Sequence, residues 1–342
     1  MVVCRGRRVS APAGEGTPSS DTDGLSIIHY CAGGQAKPVD CALLGLSERA
    51  DELFWIDLQT DAGLKSALGG LEIPAALMVN ATSTGSSPSI GVDGDFAWCR
   101  VALPLHKGNL KFEATMLRIF LGPGIIIMTR HEEPIDFIAA LREREDGHSR
   151  LGCLDARSFM GSLLDWGLDT YFEAVMQVEG ELDRIEADIL EDRHDEDSVK
   201  LAKLRKTAAR LRKMLNSNRI VFSSLARADF MPEAPQSIGR QFEKVEQQFQ
   251  NAVTAVEGTR EMVIGTLEVL TNRIALRTNK SLRVLSFLAA AFGFMSVVVG
   301  AMGMNFDASF FATKDFGFFV TIGATLAVST LLIVISAYRK WF

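Results

Sequence analysis

The sequence predicts an α/β domain followed by long helices and two transmembrane helices. Short β-rich runs with turn signals fill the first half of the chain, and helical periodicity replaces them near residue 156. Of the 342 residues, 47% are hydrophobic, and the mean hydropathy is +0.14. The apolar residues concentrate at the C-terminal end, so their distribution excludes a plain soluble globule.

Charge and cysteine content exclude two further classes of protein. The net charge of −6 comes without a basic domain or an aromatic-basic ladder, which argues against nucleic-acid binding. The cysteines number five and include no C-x-x-C pair, so a disulfide framework and a structural zinc site are both disfavoured. We expect free thiols in a reducing compartment.

Residues 1–24 predict a disordered leader. The arginines at positions 5, 7 and 8 are not followed by an apolar run, and residues 11–24 are rich in Pro, Gly, Ser and Asp. A secretory signal peptide needs an apolar segment after its positive charges, so this segment does not fit one.

Residues 25–155 predict the α/β domain. Gly- and Pro-containing stretches at 70–77 and 82–89 predict loops. Apolar residues at helical spacing after Pro134 predict a helix over 132–145. Aromatic and β-branched composition predicts strands at 53–58, 97–103, 115–122 and 124–130.

Residues 156–283 predict three long helices. The first runs from Phe159 to Ile189, the second from about Val199 to Ala228, and the third begins near Ser237. The third helix carries an apolar stripe with steps of mostly three and four, typical of a helix packed on other helices. This stripe consists of Phe242, Val245, Phe249, Ala252, Val256, Val263, Leu267, Leu270 and Ile274.

Charges segregate between the first two of these helices. Residues 179–197 contain ten acids, and residues 199–213 contain seven bases and no acid. A solvated helical hairpin with exchangeable ion pairs is the simpler interpretation. The alternative is that the acids at 179–197 form a helix face that senses a metal ion.

Two uncharged segments predict membrane spans. Val284–Met304 has 21 residues without a charge, and Phe316–Ala337 has 22. About 20 residues suffice to cross a hydrocarbon core of roughly 30 Å. We therefore expect spans at 284–304 and 316–338, joined by an outer loop at 305–315.

The flanking charges predict the orientation of these spans. Four bases precede the first span, and Arg339 and Lys340 in the tail at 339–342 follow the second. The positive-inside rule then places both termini in the cytoplasm and the protein in the inner or plasma membrane.

Small and polar residues follow one face of the first span. Small residues permit close approach of helices, so a helix–helix seam explains the stripe, and a pore wall is the alternative. A chain with two spans forms a pore only as an oligomer. The stripe consists of Asn279, Leu282, Ser286, Ala289, Gly293, Ser296, Gly300 and Gly303, and Leu285 lies on one of the remaining faces.

Three carboxylates continue this face below the membrane. Glu257, Glu261 and Glu268 fall near one side of the third helix, since eleven residues make about three turns. Carboxylates at an inner mouth attract cations, whereas a solvated helix face explains the same pattern without function.

The motif Gly303-Met304-Asn305 stands at the outer end of the first span. A long helix, a span ending in G-M-N, a short loop and a second span with a basic-aromatic tail resemble the CorA family of divalent-cation channels, including its ZntB-like zinc-transporting branch. This resemblance implies a homopentamer with a funnel of long helices, first spans around the pore and no cofactor other than the transported cation.

The resemblance also implies roles for individual residues. Gly303, Met304 and Asn305 would form the selectivity ring that holds a hydrated cation, with Asp307 concentrating cations nearby. Asn279 would lie at the inner mouth, and Leu282 with Leu285 would form a hydrophobic gate. The remaining pore-lining positions are those of the stripe.

Several functional hypotheses remain open at this point. Mg²⁺ transport is favoured, with Co²⁺ and Ni²⁺ as further candidates, and a ZntB-like Zn²⁺ transporter, proton-coupled or passive, is the alternative. The pore stripe contains no His or Cys, the residues that hold Zn²⁺ tightly. A non-conducting membrane-anchored scaffold is an alternative of another class. An enzyme is disfavoured because the sequence has no phosphate-binding loop, nucleophile elbow or His cluster.

Overall fold

The computed structural model describes most of the predicted α/β domain and helices. Contacts divide the chain into two compact units, and the boundary between them in the sequence falls between Ile264 and Gly265. The described residues are 25–30, 36–38, 53–58, 87–93, 96–122, 126–130, 135–144, 154–191, 197–227, 229–231, 234–303 and 315–338. The predicted leader at 1–24 and tail at 339–342 lie outside them, and the predicted domain boundaries stay predictions.

A seven-stranded mixed sheet forms the centre of the first unit. Its strands are β1 (Leu25–Tyr30), β2 (Ala36–Pro38), β3 (Leu53–Leu58), β4 (Ser89–Asp93), β5 (Phe96–His106), β6 (Phe112–Leu121) and β7 (Ile126–Arg130). Their spatial order is β2-β1-β3-β7-β6-β5-β4. Only β3 and β7 pair in parallel, with Phe54 opposite Ile126, and the other neighbours are antiparallel. The four predicted strands are confirmed.

Six helices follow β7 among the described residues. They are α1 (Asp136–Arg144), α2 (Ala156–Leu190), α3 (Asp197–Ser217), α4 (Arg219–Leu225), α5 (Gln236–Met302) and α6 (Asp315–Tyr338). The first and third long helices are confirmed as α2 and α5. The second is wrong as one helix, because Asn218 separates α3 from α4.

The core of the first unit lies between the sheet and α2. Trp55 and Phe159 pack edge to face, with ring centroids 5.5 Å apart. Trp55 and Ile56 are neighbours on β3 and are both fully buried. Since consecutive strand residues point to opposite faces, both faces of the sheet are covered at β3.

The first part of α5 packs on α2 and α4. Phe249 stacks on Phe222 of α4 with centroids 4.8 Å apart. Gln241 donates to the Ser158 carbonyl at 2.8 Å, and Thr259 donates to Glu179 at 2.9 Å. The predicted packing stripe holds from Phe242 to Leu270 except for the half-buried Leu267, but its last member, Ile274, is 50% exposed.

Candidate ion pathway

The predicted pore stripe lies on one unbroken helix. α5 is α-helical from Gln236 to Met302, so residues spaced by three and four share a face. Every stripe residue is exposed, and so is the predicted gate residue Leu285; the stripe residues are Asn279, Leu282, Ser286, Ala289, Gly293, Ser296, Gly300 and Gly303. The chain by itself therefore leaves this face open.

The glycines of the stripe are not required by packing within the chain. A Cβ atom added at Gly293 or Gly300 meets nothing within 4 Å. By contrast, a Cβ atom at Gly161 of α2 would lie 2.8 Å from Gln241. The small residues on α5 leave room for a helix of another chain or for a water-filled pore.

Hydroxyl groups distinguish the stripe from α6. On α6 four hydroxyls donate to carbonyls of their own helix at 2.7–2.8 Å, and these belong to Thr321, Thr325, Ser329 and Thr330. Ser286 and Ser296 on α5 make no side-chain hydrogen bond to another described residue. An unsatisfied hydroxyl in apolar surroundings is costly, so these two need water or a neighbouring chain.

The rest of this part of α5 is apolar and unburied. Phe292, Val297 and Val299 are each more than 60% exposed. A helix that is apolar on most sides without being buried in its own protein is typical of a membrane span. Among the described residues, α5 is long and apolar enough to cross a membrane, and α6 contains a shorter apolar stretch, Phe319–Leu331.

The C-terminal end of α5 is described up to Gly303. Its N–H donates to the Val299 carbonyl at 3.0 Å and to the Gly300 carbonyl at 3.1 Å, which closes the last turn. The predicted mouth residues Met304, Asn305 and Asp307 lie outside the described residues. Their roles stay predictions.

The predicted inner-mouth acids differ in their surroundings. Glu257 lies 3.4 Å from the Arg212 guanidinium of α3, and both side chains are 46% exposed. Glu261 and Glu268 are exposed. Sequence reasoning missed the Arg212 pair, because Arg212 and Glu257 lie on separate helices whose packing the charge pattern does not predict.

An α/β domain, joined by one continuous helix to an unburied apolar segment, defines a membrane protein with a large extramembrane domain. The chain matches the family of CorA-like Mg²⁺ transporter proteins over residues 51–336, and it belongs to that family.

Known relatives agree with this assignment. The cobalt/magnesium transport protein CorA of Thermotoga maritima is 27% identical over 180 residues, 53% of this chain and 51% of that protein. The chain thus spans about half the length of the curated relative it matches.

Solved structures show the same fold. The complete CorA magnesium transporter of Methanocaldococcus jannaschii superposes with a TM-score of 0.75 at 19% identity, covering 94% of this chain and 100% of that one. The ZntB cytoplasmic domain of Vibrio parahaemolyticus gives 0.58 at 13% identity, covering 74% and 99%.

Proposed function

We propose that this protein transports divalent cations, with Mg²⁺ favoured, through a homopentameric pore lined by α5. The observation that carries the proposal is the stripe itself. Gly293 and Gly300 leave open space, and Ser286 and Ser296 offer unsatisfied hydroxyls, on a helix that is otherwise apolar and unburied. Membership in the CorA-like family supports the same function.

The mouth at the end of α5 is the proposed selectivity ring. Mg²⁺ gives up its water reluctantly and prefers oxygen ligands in octahedral geometry. Amide and carbonyl oxygens of Gly303, Met304 and Asn305 from several chains would hold its hydration shell without trapping the ion. Asp307 would raise the local cation concentration.

The inner half of the stripe is the proposed gate. Leu282 and Leu285 are 53% and 62% exposed, so their side chains are available to a pore axis. A hydrophobic constriction can close a pore by losing its water. Asn279 lies one turn below Leu282 and would receive the ion on the inner side.

The fold is compatible with a zinc transporter as well, since the soluble domain resembles that of ZntB. The stripe contains no His or Cys, so tight Zn²⁺ coordination in the pore is disfavoured. Passage of hydrated Zn²⁺ by the same route is the alternative that the experiment separates.

Ion influx into liposomes that contain the purified protein tests this proposal. Mg²⁺ and Zn²⁺ indicators run in parallel, with Asn305→Ala as the pore variant and Asn251→Ala as the matched control. Asn251 is an exposed asparagine of α5 that accepts a hydrogen bond from Gln247. It lies away from the face that carries the stripe. We expect Mg²⁺ influx that Asn305→Ala abolishes and Asn251→Ala preserves.

Other outcomes contradict parts of the proposal. Influx of Zn²⁺ alone, increased by a proton gradient, would assign the chain to the zinc-transporting branch. Absence of influx for both ions at every gradient would favour a non-conducting scaffold. Equal influx through both variants would remove Asn305 from the pathway.

A further inference from the structure

Two lysines flank the tip of the β5–β6 hairpin, whose backbone is strained. Lys107 and Lys111 close the tip, and the Lys107 N–H donates to the Lys111 carbonyl at 2.8 Å. Between them, Gly108, Asn109 and Leu110 have φ angles of 82°, 49° and 56°. This left-handed region is uncommon for asparagine and costly for a bulky residue such as leucine. Strain of this kind persists where the surrounding structure fixes it, and it clusters at functional sites.

Helix α3 holds the strained tip in place. The Thr207 hydroxyl of α3 donates to the Leu110 carbonyl at 2.9 Å. Lys203 and Arg210 lie one turn before and one turn after Thr207, and Lys206 precedes it directly. The contact therefore sets the two hairpin lysines beside the basic side of α3. We call these five residues the basic patch: Lys107, Lys111, Lys203, Lys206 and Arg210.

Bases of the hairpin and of α3 act on one carboxylate. Glu113 follows the tip on β6, and its carboxylate lies 2.6 Å from the Lys111 ammonium. This hydrogen bond lowers the pKa of Glu113, and the charges of Lys107 and Arg210 lower it further. The fold thus concentrates positive charge from two separate elements at this place.

The acids of α2 do not neutralise the α3 side of the basic patch. Lys203, Lys206 and Arg210 are exposed, and none of them forms an ion pair with an acid in the described part of the chain. The segregated charges of the two helices are therefore not an internal set of ion pairs at these positions. An anion from outside the chain would offset the repulsion among the bases.

The extent and composition of the basic patch favour a chain of phosphates. Lys203 and Arg210 are seven residues apart, so the patch covers about 10 Å of helix, more than one phosphate can contact. Ammonium and guanidinium groups bind phosphate oxygens with strong hydrogen bonds. The patch and the hairpin tip contain no exposed large apolar side chain, whereas protein interfaces and membrane-surface helices use such side chains.

We propose that the basic patch binds a soluble linear oligophosphate, with its phosphates between the hairpin lysines and the bases of α3. The site belongs to the first unit and does not depend on ion transport by α5. It gives this protein an anionic ligand in addition to the cation of the proposed function.

Isothermal titration calorimetry of the full-length protein in non-ionic detergent tests the proposal, with sodium tripolyphosphate as the probe. EDTA in the buffer removes the divalent cations that the probe chelates. We expect saturable binding of tripolyphosphate and none of orthophosphate at the same total phosphate concentration. Arg210→Gln should weaken binding about threefold, the effect of losing one exposed ion pair. Adding Lys111→Gln should bring the loss to about tenfold, because Glu113 then keeps its charge in the patch without a partner.

Arg205→Gln is the matched control for Arg210→Gln. Arg205 is an exposed arginine of the same helix, two residues before Thr207 and therefore about 200° round the helix from the hairpin contact. It should leave the affinity unchanged. A membrane surface is tested separately, by sedimentation of the protein in neutral-lipid nanodiscs with phosphatidylcholine vesicles that contain or lack phosphatidylglycerol.

Three outcomes would overturn the proposal. The first is the absence of saturable tripolyphosphate binding to the unmodified protein, or equal binding of orthophosphate. The second is equal weakening by Arg210→Gln and Arg205→Gln, which would indicate diffuse attraction to a basic helix. The third is sedimentation with phosphatidylglycerol vesicles that Arg210→Gln reduces while tripolyphosphate does not bind, which would make the patch a membrane-docking surface. The orthophosphate comparison uses unmodified protein, so it decides the matter even if a variant folds poorly.

Discussion

Asn218 satisfies the backbone of Ala102 from 116 residues away in the sequence. Its side-chain oxygen accepts from the Ala102 N–H at 2.8 Å, and its side-chain nitrogen donates to the Ala102 carbonyl at 2.8 Å. The first residue of β4, Ser89, pairs with Arg100 of β5, so Asn218 serves as a strand partner for β5 just beyond the start of β4. Tyr171 also donates to the Ala102 carbonyl, at 2.7 Å. The residue that separates α3 from α4 thus fixes both helices to the sheet.

We expect Asn218→Ala to destabilise the α/β domain by about 1–3 kcal/mol, because the buried Ala102 N–H loses its acceptor. Tyr171→Phe should cost less, about 1 kcal/mol, since Asn218 still donates to the Ala102 carbonyl. The effect of the double variant should differ from the sum of the two single effects, because both side chains donate to that carbonyl and Asn218 also donates to the Tyr171 hydroxyl at 3.3 Å. Thermal unfolding of the full-length protein in detergent measures all three.

Asn216→Ala provides the control for this cycle, because Asn216 is a half-buried asparagine on α3. It should shift the unfolding temperature little. Additive effects of Asn218→Ala and Tyr171→Phe would show that the two side chains do not share Ala102 as described.

Gly161 and Gly180 of α2 predict opposite effects of the same substitution. A Cβ atom at Gly161 would lie 2.8 Å from the Gln241 amide, which donates to the Ser158 carbonyl. Gly161→Ala should therefore destabilise the contact between α2 and α5. A Cβ atom at Gly180 meets nothing within 4 Å, so Gly180→Ala should stabilise the helix by about 1 kcal/mol. Thermal unfolding compares the two, and equal shifts in one direction would contradict this packing.

The pKa of Asp169 predicts a pH-dependent stability difference. Burial first, and then Asp165 and Glu173, raise this pKa above its ordinary value of 3.8, against a hydrogen bond from Gln248. The folded state then binds more protons than the unfolded state above pH 3.8, so this contribution to stability is lost as pH rises through the raised pKa. Asp169→Asn removes that loss.

The unfolding temperature of Asp169→Asn relative to the unmodified protein should therefore increase as the pH rises from 3.8 through the raised pKa of Asp169. Asp183→Asn, an exposed acid on the same helix, is the control. A difference that stays constant with pH, or that both variants show, would contradict the proposed origin of the shift.

The sequence predicted those strands and helices whose own apolar residues repeat with the period of a strand or a helix. The run at 53–58 and the helix around Phe159 follow the periods of a strand and a helix, and the structure contains both. The break at Asn218 carries no such signal, since Val221, Phe222 and Leu225 continue a helical pattern. The residue at the break bonds the distant Ala102 backbone, a contact that a helix pattern in the sequence cannot reveal.

In the candidate pathway, too, local spacing was predictable from the sequence and contacts between separate helices were not. Spacing by three and four predicted that the stripe shares one face of a helix, and α5 provides that helix. The partner of Glu257 was not predictable, because Arg212 comes beside it only when α3 packs on α5.

The proposed gate predicts a gain of function. Serine at position 282 or 285 would hold water in the constriction, so Leu282→Ser and Leu285→Ser should raise resting Mg²⁺ influx several-fold. Phe294→Ser is the control, because Phe294 is 49% exposed and, nine residues after Leu285, lies on the opposite side of the same helix. Influx into liposomes at a fixed gradient measures the effect. An increase for Phe294→Ser as large as for Leu285→Ser would place the constriction elsewhere.

The Arg212 contact predicts an order among the three acids of the proposed inner mouth. Arg212 already offsets the charge of Glu257, whereas Glu261 and Glu268 are exposed. Glu268→Gln should lower the initial rate of Mg²⁺ influx about twofold at low ionic strength, because it removes a charge that concentrates cations. Glu257→Gln should lower it less, and Arg212→Gln should raise it by freeing that carboxylate. These differences should shrink at high salt, where exposed charges are screened. If Glu257→Gln has the largest effect, or if salt leaves all the differences unchanged, these acids do not act by attracting cations.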